Sequence, residues 1–328
     1  MSFNDVPVFE PHLFEEDDNA KELVCKNIIN KLITQQITPS QAAEAVDEWV
    51  VRDSTTKYDK FRKRDPPFTL NPGGNAFDDG PNTCGLVDMV IRIVAHICSA
   101  YPPGHIVQDS LVEFFQALKA LPRHDAPDVT YKHDLTEDCG NDECGSDKCG
   151  TDDLTFEGKV TLWAFGTKSY SWRNWDFFNE AEDIAYPFSD VEVLGSEKQL
   201  RWRNLQSFIS RLTALELLDC SCACALPYLL PNHVSYPNLE VHKMGGPRRI
   251  TGDLVAAKYW LETDKIRKFV FRQCKKNLDS GPGCHTYWNM STWNQLKSQL
   301  SFISSSERFE QQIRDLAQSL REKMESEE

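Results

Sequence analysis

A chain of 328 residues, 40% of them hydrophobic, is long enough to bury a sizeable core in one large domain or two closely packed ones. Its formal net charge of −14 argues against general nucleic-acid binding, because an acidic surface repels phosphate backbones. No apolar run approaches the roughly 20 residues that span a bilayer, and the acidic, proline-containing start of the chain is unlike a signal peptide. The sequence therefore predicts a cytoplasmic protein without a membrane span.

The N-terminal third of the chain shows the apolar spacing of amphipathic helices. The sequence predicts a flexible arm over residues 1–18 and a single helical domain over residues 19–328. Thr38 and Gln41 form a capping-box pattern at a helix start. Helices are predicted over residues 19–36, from Thr38 onwards, over 83–100 and over 106–121, with a long loop over 53–82.

The middle of the chain interrupts this pattern. Residues 122–158 are acidic and contain three Cys-Gly pairs, at Cys139, Cys144 and Cys149, and they predict an exposed, disordered insertion loop. Three thiols could bind zinc, but tight zinc sites use shorter gaps and four ligands. Residues 160–165, in the aromatic-rich stretch that follows, fit either a short strand or a helical turn.

Helical spacing returns in the second half of the chain. The longest helix is predicted over residues 198–226. Cys220, Cys222 and Cys224 lie near its end and are predicted to be buried in the protein core. Further helices are predicted from Thr251, over 264–277, and at the C-terminus with an apolar stripe from Phe309 to Met324. No alternating strand–helix pattern and no repeat occurs, so the sequence predicts an all-α fold, an irregular helical bundle.

Positive charge is concentrated between Arg248 and Lys276. This segment has nine Lys and Arg residues against three acidic ones. A solvated helix face and a phosphate site both explain this pattern. Lys258 differs from the others because it lies among apolar residues. A buried ammonium needs a partner, although a lysine can also extend its amine to the surface.

Two groups of oxygen-bearing side chains are candidates for a metal and anion site. Asn204, Ser207 and Arg211 are spaced i, i+3, i+7 on one helix face, where they could hold a cation and a diphosphate or form helix-to-helix hydrogen bonds. Asp176 and Glu180 would share a face if their segment is helical, and could then bridge Mg²⁺ or remain exposed to solvent. Asp88 is a further candidate, with Arg92 one turn away as an alternative ion-pair partner.

The stretch from Trp202 to Thr213 resembles a large group of helical, mostly uncharacterised fungal proteins. The shared pattern is Trp-x-Asn-Leu-x-x-Phe-x-x-Arg-Leu-Thr, and the resemblance extends over about residues 20–325. One branch of this group, the non-canonical terpene cyclases of the humulene synthase type, is more similar. In that branch a Leu or Met lies four positions before an essential lysine, a spacing that Leu254 and Lys258 reproduce.

The resemblance implies a magnesium-dependent sesquiterpene cyclase that converts farnesyl diphosphate to humulene and releases diphosphate. Lys258 and Arg211 would neutralise the leaving diphosphate. The residue pattern itself, not the resemblance, supplies the expected metal ligands, which are Asp88, Asp176, Glu180, Asn204 and Ser207. The substrate would contact Leu254, Trp172, Trp202, Phe208 and Trp260. Two alternatives remain: a non-enzymatic helical interaction protein, and a metal-independent pericyclase.

Overall fold

The structure, a computed structural model, describes residues 7–72, 79–131, 154–166, 177, 195–277 and 288–327. Most of these residues are helical, which confirms the predicted all-α class. The helices are α1 (Ala20–Ile33), α2 (Pro39–Arg62), α3 (Thr83–Cys98), α4 (Ile106–Ala120), α5 (Glu197–Ala214), α6 (Gly245–Leu261), α7 (Asp264–Lys276), α8 (Met290–Ser305) and α9 (Gln311–Glu325). Strands β1 (Asp125–Tyr131) and β2 (Leu154–Thr161) form an antiparallel pair.

The chain divides into two compact units, whereas the sequence analysis treated residues 19–328 as one domain. The larger unit comprises residues 1–18, 92–116 and 165–328, and the smaller unit comprises residues 19–91 and 117–164. Among the described residues, none of the helices has the length and apolarity needed to cross a bilayer.

The smaller unit is built on α1, α2 and the β1–β2 pair. The predicted capping box is confirmed, because Thr38 accepts a hydrogen bond from the Gln41 backbone and Gln41 accepts one from the Thr38 backbone. The prediction of a loop over residues 53–82 is wrong for residues 53–62, because α2 continues to Arg62. Ser54 and Phe61 are buried on this last part of α2, so tertiary packing extends the helix through a polar sequence.

The β1–β2 pair lies partly within the predicted insertion. Residues 125–131 and 154–158 are strand, so the prediction of an unstructured loop is wrong for them. The strand alternative for residue 160 is confirmed, because β2 ends at Thr161. The cysteines at 139, 144 and 149 lie outside the described residues.

The larger unit contains α5 and the helices that surround it. The helix predicted over residues 198–226 is shorter than expected, because α5 ends at Ala214 and Glu216 takes a left-handed conformation with φ of 53°. Two short 3₁₀ turns follow, at Ser221–Ala223 and Leu226–Leu229. The three cysteines after α5 therefore do not share its helix. Cys220 and Cys224 are buried, whereas Cys222 is half-buried, so the core prediction fails for it.

Three further differences concern α6, α8 and the N-terminal arm. Helix α6 begins at Gly245, so Thr251 is inside the helix and not its cap. Helix α8 was not predicted. Part of the arm is attached to the larger unit, because the Phe9 backbone donates to the Ala100 carbonyl at 2.9 Å and Arg201 donates to the Glu10 carbonyl at 2.7 Å.

Candidate functional site

Helix α5 is buried along most of its length despite its polar composition. Ser196 caps its start by accepting a hydrogen bond from the Gln199 backbone at 3.3 Å. Every residue from 201 to 210 is buried, including two arginines, two amides and two serines. Because a buried polar group is costly without a partner, each of these side chains must be matched by neighbouring elements.

Gln206 joins α5 to α6 and to the 3₁₀ turns. Its Nε2 donates to the Ala223 carbonyl at 2.7 Å, and its Oε1 accepts from the Ala225 backbone at 2.8 Å. The same oxygen accepts from Trp260 Nε1 of α6 at 2.6 Å. These three hydrogen bonds in a fully buried site attach α5 to the 3₁₀ segment twice and to α6 once.

Asn204 and Ser207 point to α4 and the end of α3. The side-chain Nδ2 of Asn204 donates to the backbone carbonyl of Ser99 at 2.9 Å. The backbone carbonyl of Asn204 accepts from Gln108 Nε2, also at 2.9 Å. Ser207 Oγ donates to Gln108 Oε1 at 3.3 Å. These contacts correspond to the helix-to-helix alternative. Asn204 Oδ1 is buried and accepts no hydrogen bond within the described ranges.

Arg211 lies one helical turn beyond Ser207, as the sequence spacing predicts. Its Nη1 is 2.8 Å from Asp109 Oδ1, and both side chains are partly exposed. The guanidinium charge is thus already compensated within the larger unit, which weakens the case for Arg211 as an anion ligand.

Lys258 on α6 is influenced by the positive charge of a second cation, Arg203, on the adjacent helix α5. Lys258 is half-buried on α6, and Arg203 is 3% exposed on α5. Desolvation lowers the pKa of both groups, and the positive charge of Arg203 lowers the pKa of Lys258 further, against the attraction of Glu262. Lys258 Nζ is also 5.0 Å from the ring centroid of Tyr259. An anion at this position would relieve the repulsion between the two cations.

Tyr259 completes this cationic site. Burial raises the pKa of its phenol to about 12, although the charge of Arg203 acts in the opposite direction. The phenol therefore remains protonated at neutral pH and is available as a hydrogen-bond donor. We call Arg203, Lys258 and Tyr259 the cationic cluster.

The matched family model covers this site and most of the helical chain. It describes a protein of unknown function (DUF3632), and it matches residues 88–300. The chain belongs to the DUF3632 family. No curated protein and no solved structure matches it. The DUF3632 region includes α5, α6 and α7, and with them the whole cationic cluster.

The candidate substrate-binding residues of this DUF3632 protein are packed in its core. Leu254 is fully buried, one helical turn before Lys258. The ring of Trp202 is 5.6 Å from that of Tyr228, and the ring of Trp260 is 5.6 Å from that of Trp288. Phe208 is likewise buried, with its ring 6.1 Å from that of Phe177. Trp172 lies outside the described residues.

Of the proposed metal ligands, Asn204 and Ser207 are the two that lie within one unit among the described residues of the DUF3632 protein. Asp88 is partly exposed on α3, within the smaller unit. Asp176 and Glu180 lie outside the described residues. Within the ranges that are described, no group of three or more His, Cys, Asp or Glu side chains could hold a metal ion. Asn204 and Ser207 alone do not fit a magnesium site, since Mg²⁺ is usually held by one or two carboxylates.

The sequence analysis singled out neither Tyr259 nor Arg203 of the cluster, and Arg203 is the more informative omission. It occupies the x position between Trp202 and Asn204 in the Trp-x-Asn-Leu pattern of the sequence. The available signal was that the apolar residues of α5, such as Leu200, Trp202 and Phe208, are spread over more than half of its circumference, which indicates a helix that is buried on several sides. In such a helix an arginine is a candidate for an internal site, because its charge must be compensated locally.

Proposed function

We propose that this DUF3632 protein is a sesquiterpene cyclase that converts farnesyl diphosphate to humulene and releases diphosphate. The observation that carries the proposal is that two desolvated cations, Arg203 and Lys258, lie on adjacent helices and that the charge of Arg203 acts on Lys258. A diphosphate provides several negatively charged oxygens, and bidentate binding by a guanidinium suits them. The resemblance of the Leu254–Lys258 spacing to the humulene synthases supplies the substrate class.

Lys258 and Arg203 would act when the bond between C1 and the diphosphate oxygen breaks. Negative charge then accumulates on the leaving group, and two cations already positioned there stabilise it without reorganisation. The Tyr259 hydroxyl would donate a further hydrogen bond. Arg211 is paired with Asp109 and would have to leave that ion pair to bind a diphosphate, so Arg203 is the better partner for Lys258.

Leu254 would shape the hydrocarbon chain next to the cationic cluster. It is one turn from Lys258 along α6 and fully buried, so its side chain lies in the apolar interior. There the terminal alkene would attack the allylic cation at C1, and proton loss from a neighbouring carbon would give the neutral product. Apolar surroundings keep water from capturing the cation.

Mg²⁺ is part of the proposal as cofactor, and it would supply additional positive charge for the diphosphate. Of the five residues named as candidate ligands, the carboxylates Asp176 and Glu180 were proposed from their spacing, and both lie outside the described residues. The side chain of Asn204 is hydrogen-bonded to the Ser99 carbonyl and that of Ser207 to Gln108 of α4. Asp88 remains a candidate carboxylate. We also propose a cytoplasmic location.

Incubation of the full chain with farnesyl diphosphate, with and without Mg²⁺, tests the proposal. We expect humulene by gas chromatography–mass spectrometry only when Mg²⁺ is present. Lys258→Ala and Arg203→Met should each lower turnover at least tenfold, since each removes a charge-assisted contact worth about 1.5–3 kcal/mol. Arg248→Ala is the matched control, because it removes an exposed cation from the same helix as Lys258.

The outcomes separate the three functions. If neither tube contains a hydrocarbon, the sesquiterpene proposal is wrong, and an interaction protein becomes the leading explanation. A product that forms from another substrate without metal would favour the pericyclase. Turnover that survives Lys258→Ala at the wild-type rate would remove the cationic cluster from the mechanism, whatever product is formed.

A further inference from the structure

The three most exposed large apolar side chains among the described residues lie in one loop. Val234 is 95% exposed, Met244 is 71% exposed and Val241 is 70% exposed, all between the second 3₁₀ turn and α6. Single exposed apolar residues are common on protein surfaces, but several in one short segment mark an interaction site. We call residues 231–244 the apolar loop.

The apolar loop is held in shape by its own hydrogen bonds. The Asn238 carbonyl accepts from the Val241 backbone at 3.2 Å and from the His242 backbone at 2.8 Å. The Asn238 side chain accepts from the Glu240 backbone at 3.0 Å, and the His242 carbonyl accepts from the Gly246 backbone at 2.8 Å. The backbone thus fixes Val241 in an exposed position, so its exposure is a property of the fold.

The charge around the apolar loop is positive, in contrast to the chain as a whole. Lys243 is exposed within the loop and Arg248 is exposed just after it. Glu240 is the one acidic residue in the sequence from 231 to 248, and its carboxylate is 2.9 Å from Arg308. The chain has a net charge of −14, so a local surface with exposed apolar and basic groups needs a specific explanation.

We propose that the apolar loop binds the surface of a bilayer that contains anionic phospholipids. Val234, Val241 and Met244 would enter the interfacial region, and Lys243 and Arg248 would contact headgroup phosphates. Three side chains expose much less than the roughly 800 Å² that each partner buries in a stable protein interface. Peripheral membrane binding, in contrast, requires only a small apolar insertion and a few cations. This inference is independent of the proposed catalytic activity.

Sedimentation of the full chain with vesicles tests the inference. The vesicles are made of phosphatidylcholine alone or of phosphatidylcholine mixed with phosphatidylserine. We expect binding to the mixed vesicles, weakened about fivefold by Lys243→Ala, because one cation near an anionic surface contributes about that factor. The double variant Val241→Ser, Met244→Ser should weaken binding about tenfold or more. The control is Ile106→Ser, which changes an exposed apolar residue, 52% exposed, on α4.

Each other outcome overturns the inference. Equal binding by the loop variants and the wild type would exclude the apolar loop. Binding that is lost only in Lys268→Glu, which alters an exposed cation of α7, would assign the contact to that helix. A chain that ignores both vesicles, but whose elution volume in size-exclusion chromatography changes with the double variant, would assign the loop to a contact between copies. Circular dichroism spectra of all variants verify that they are folded.

Discussion

Replacing Gln206 by Leu should destabilise the protein through three separate hydrogen-bonding groups. The substitution leaves the Ala223 carbonyl, the Ala225 amide and Trp260 Nε1 without their partner in a fully buried site. An unsatisfied buried group costs about 1–3 kcal/mol, so the lower limit of the total is about 3 kcal/mol. That is a large share of the roughly 5–15 kcal/mol that stabilises a typical folded protein.

Urea unfolding followed by circular dichroism measures this loss. With a slope of about 3 kcal/mol/M, the midpoint should fall by about 1 M. Gln199→Leu is the matched control on the same helix. The Gln199 Oε1 accepts from the Gly195 backbone at 2.8 Å, whereas its Nε2 has no hydrogen-bond partner within the described ranges. The control should cost only about 1 kcal/mol. Equal losses in the two variants would refute the assignment of the cost to the Gln206 contacts.

Three further predictions concern ionisable groups. Burial raises the pKa of Asp253 to about 6 despite its ion pair with Arg249, so the folded state retains this proton after the unfolded state has lost it. Its contribution to stability should therefore fall between about pH 4 and pH 6, and urea unfolding should show that Asp253→Asn removes this fall. The pKa of Lys258 is lowered, so this side chain loses its positive charge at a lower pH than an ordinary lysine. Calorimetry should therefore show that the affinity for inorganic diphosphate decreases as the pH rises. In Lys258→Arg the decrease should begin at a higher pH. Burial raises the thiol pKa of Cys220 and Cys224 well above the usual range, so both should resist alkylation until the protein is unfolded, as mass spectrometry can measure.

The sequence predicted those helices whose signals are local. The capping box at Thr38 and the apolar stripe of α9, with Ile313, Leu320 and Met324 buried, depend only on neighbouring residues. Errors occurred where distant contacts decide the structure. Helix α5 ends at Ala214 because the chain then turns to place the Ala223 carbonyl and the Ala225 amide on Gln206, an interaction that no local pattern reveals.

The candidate site was predicted in part. Lys258 was identified because its apolar neighbours indicate burial, and it is half-buried in the structure. The partners of Asn204 and Arg211 were not predictable, because spacing along α5 shows which residues share a face but not which helix that face meets. Arg203 is about 100° around the helix from Asn204, and only the position of α6 distinguishes it from the other arginines of α5.

The pairing of Tyr131 with Leu154 at the end of the two-stranded sheet has a practical consequence. The two residues are register partners, so the 22-residue segment between them starts and finishes at the same place on the protein. The entropy of closing a loop changes only slowly with the number of residues in it. This position is therefore a suitable place to shorten the chain for crystallisation, or to insert an affinity tag or a fluorescent label.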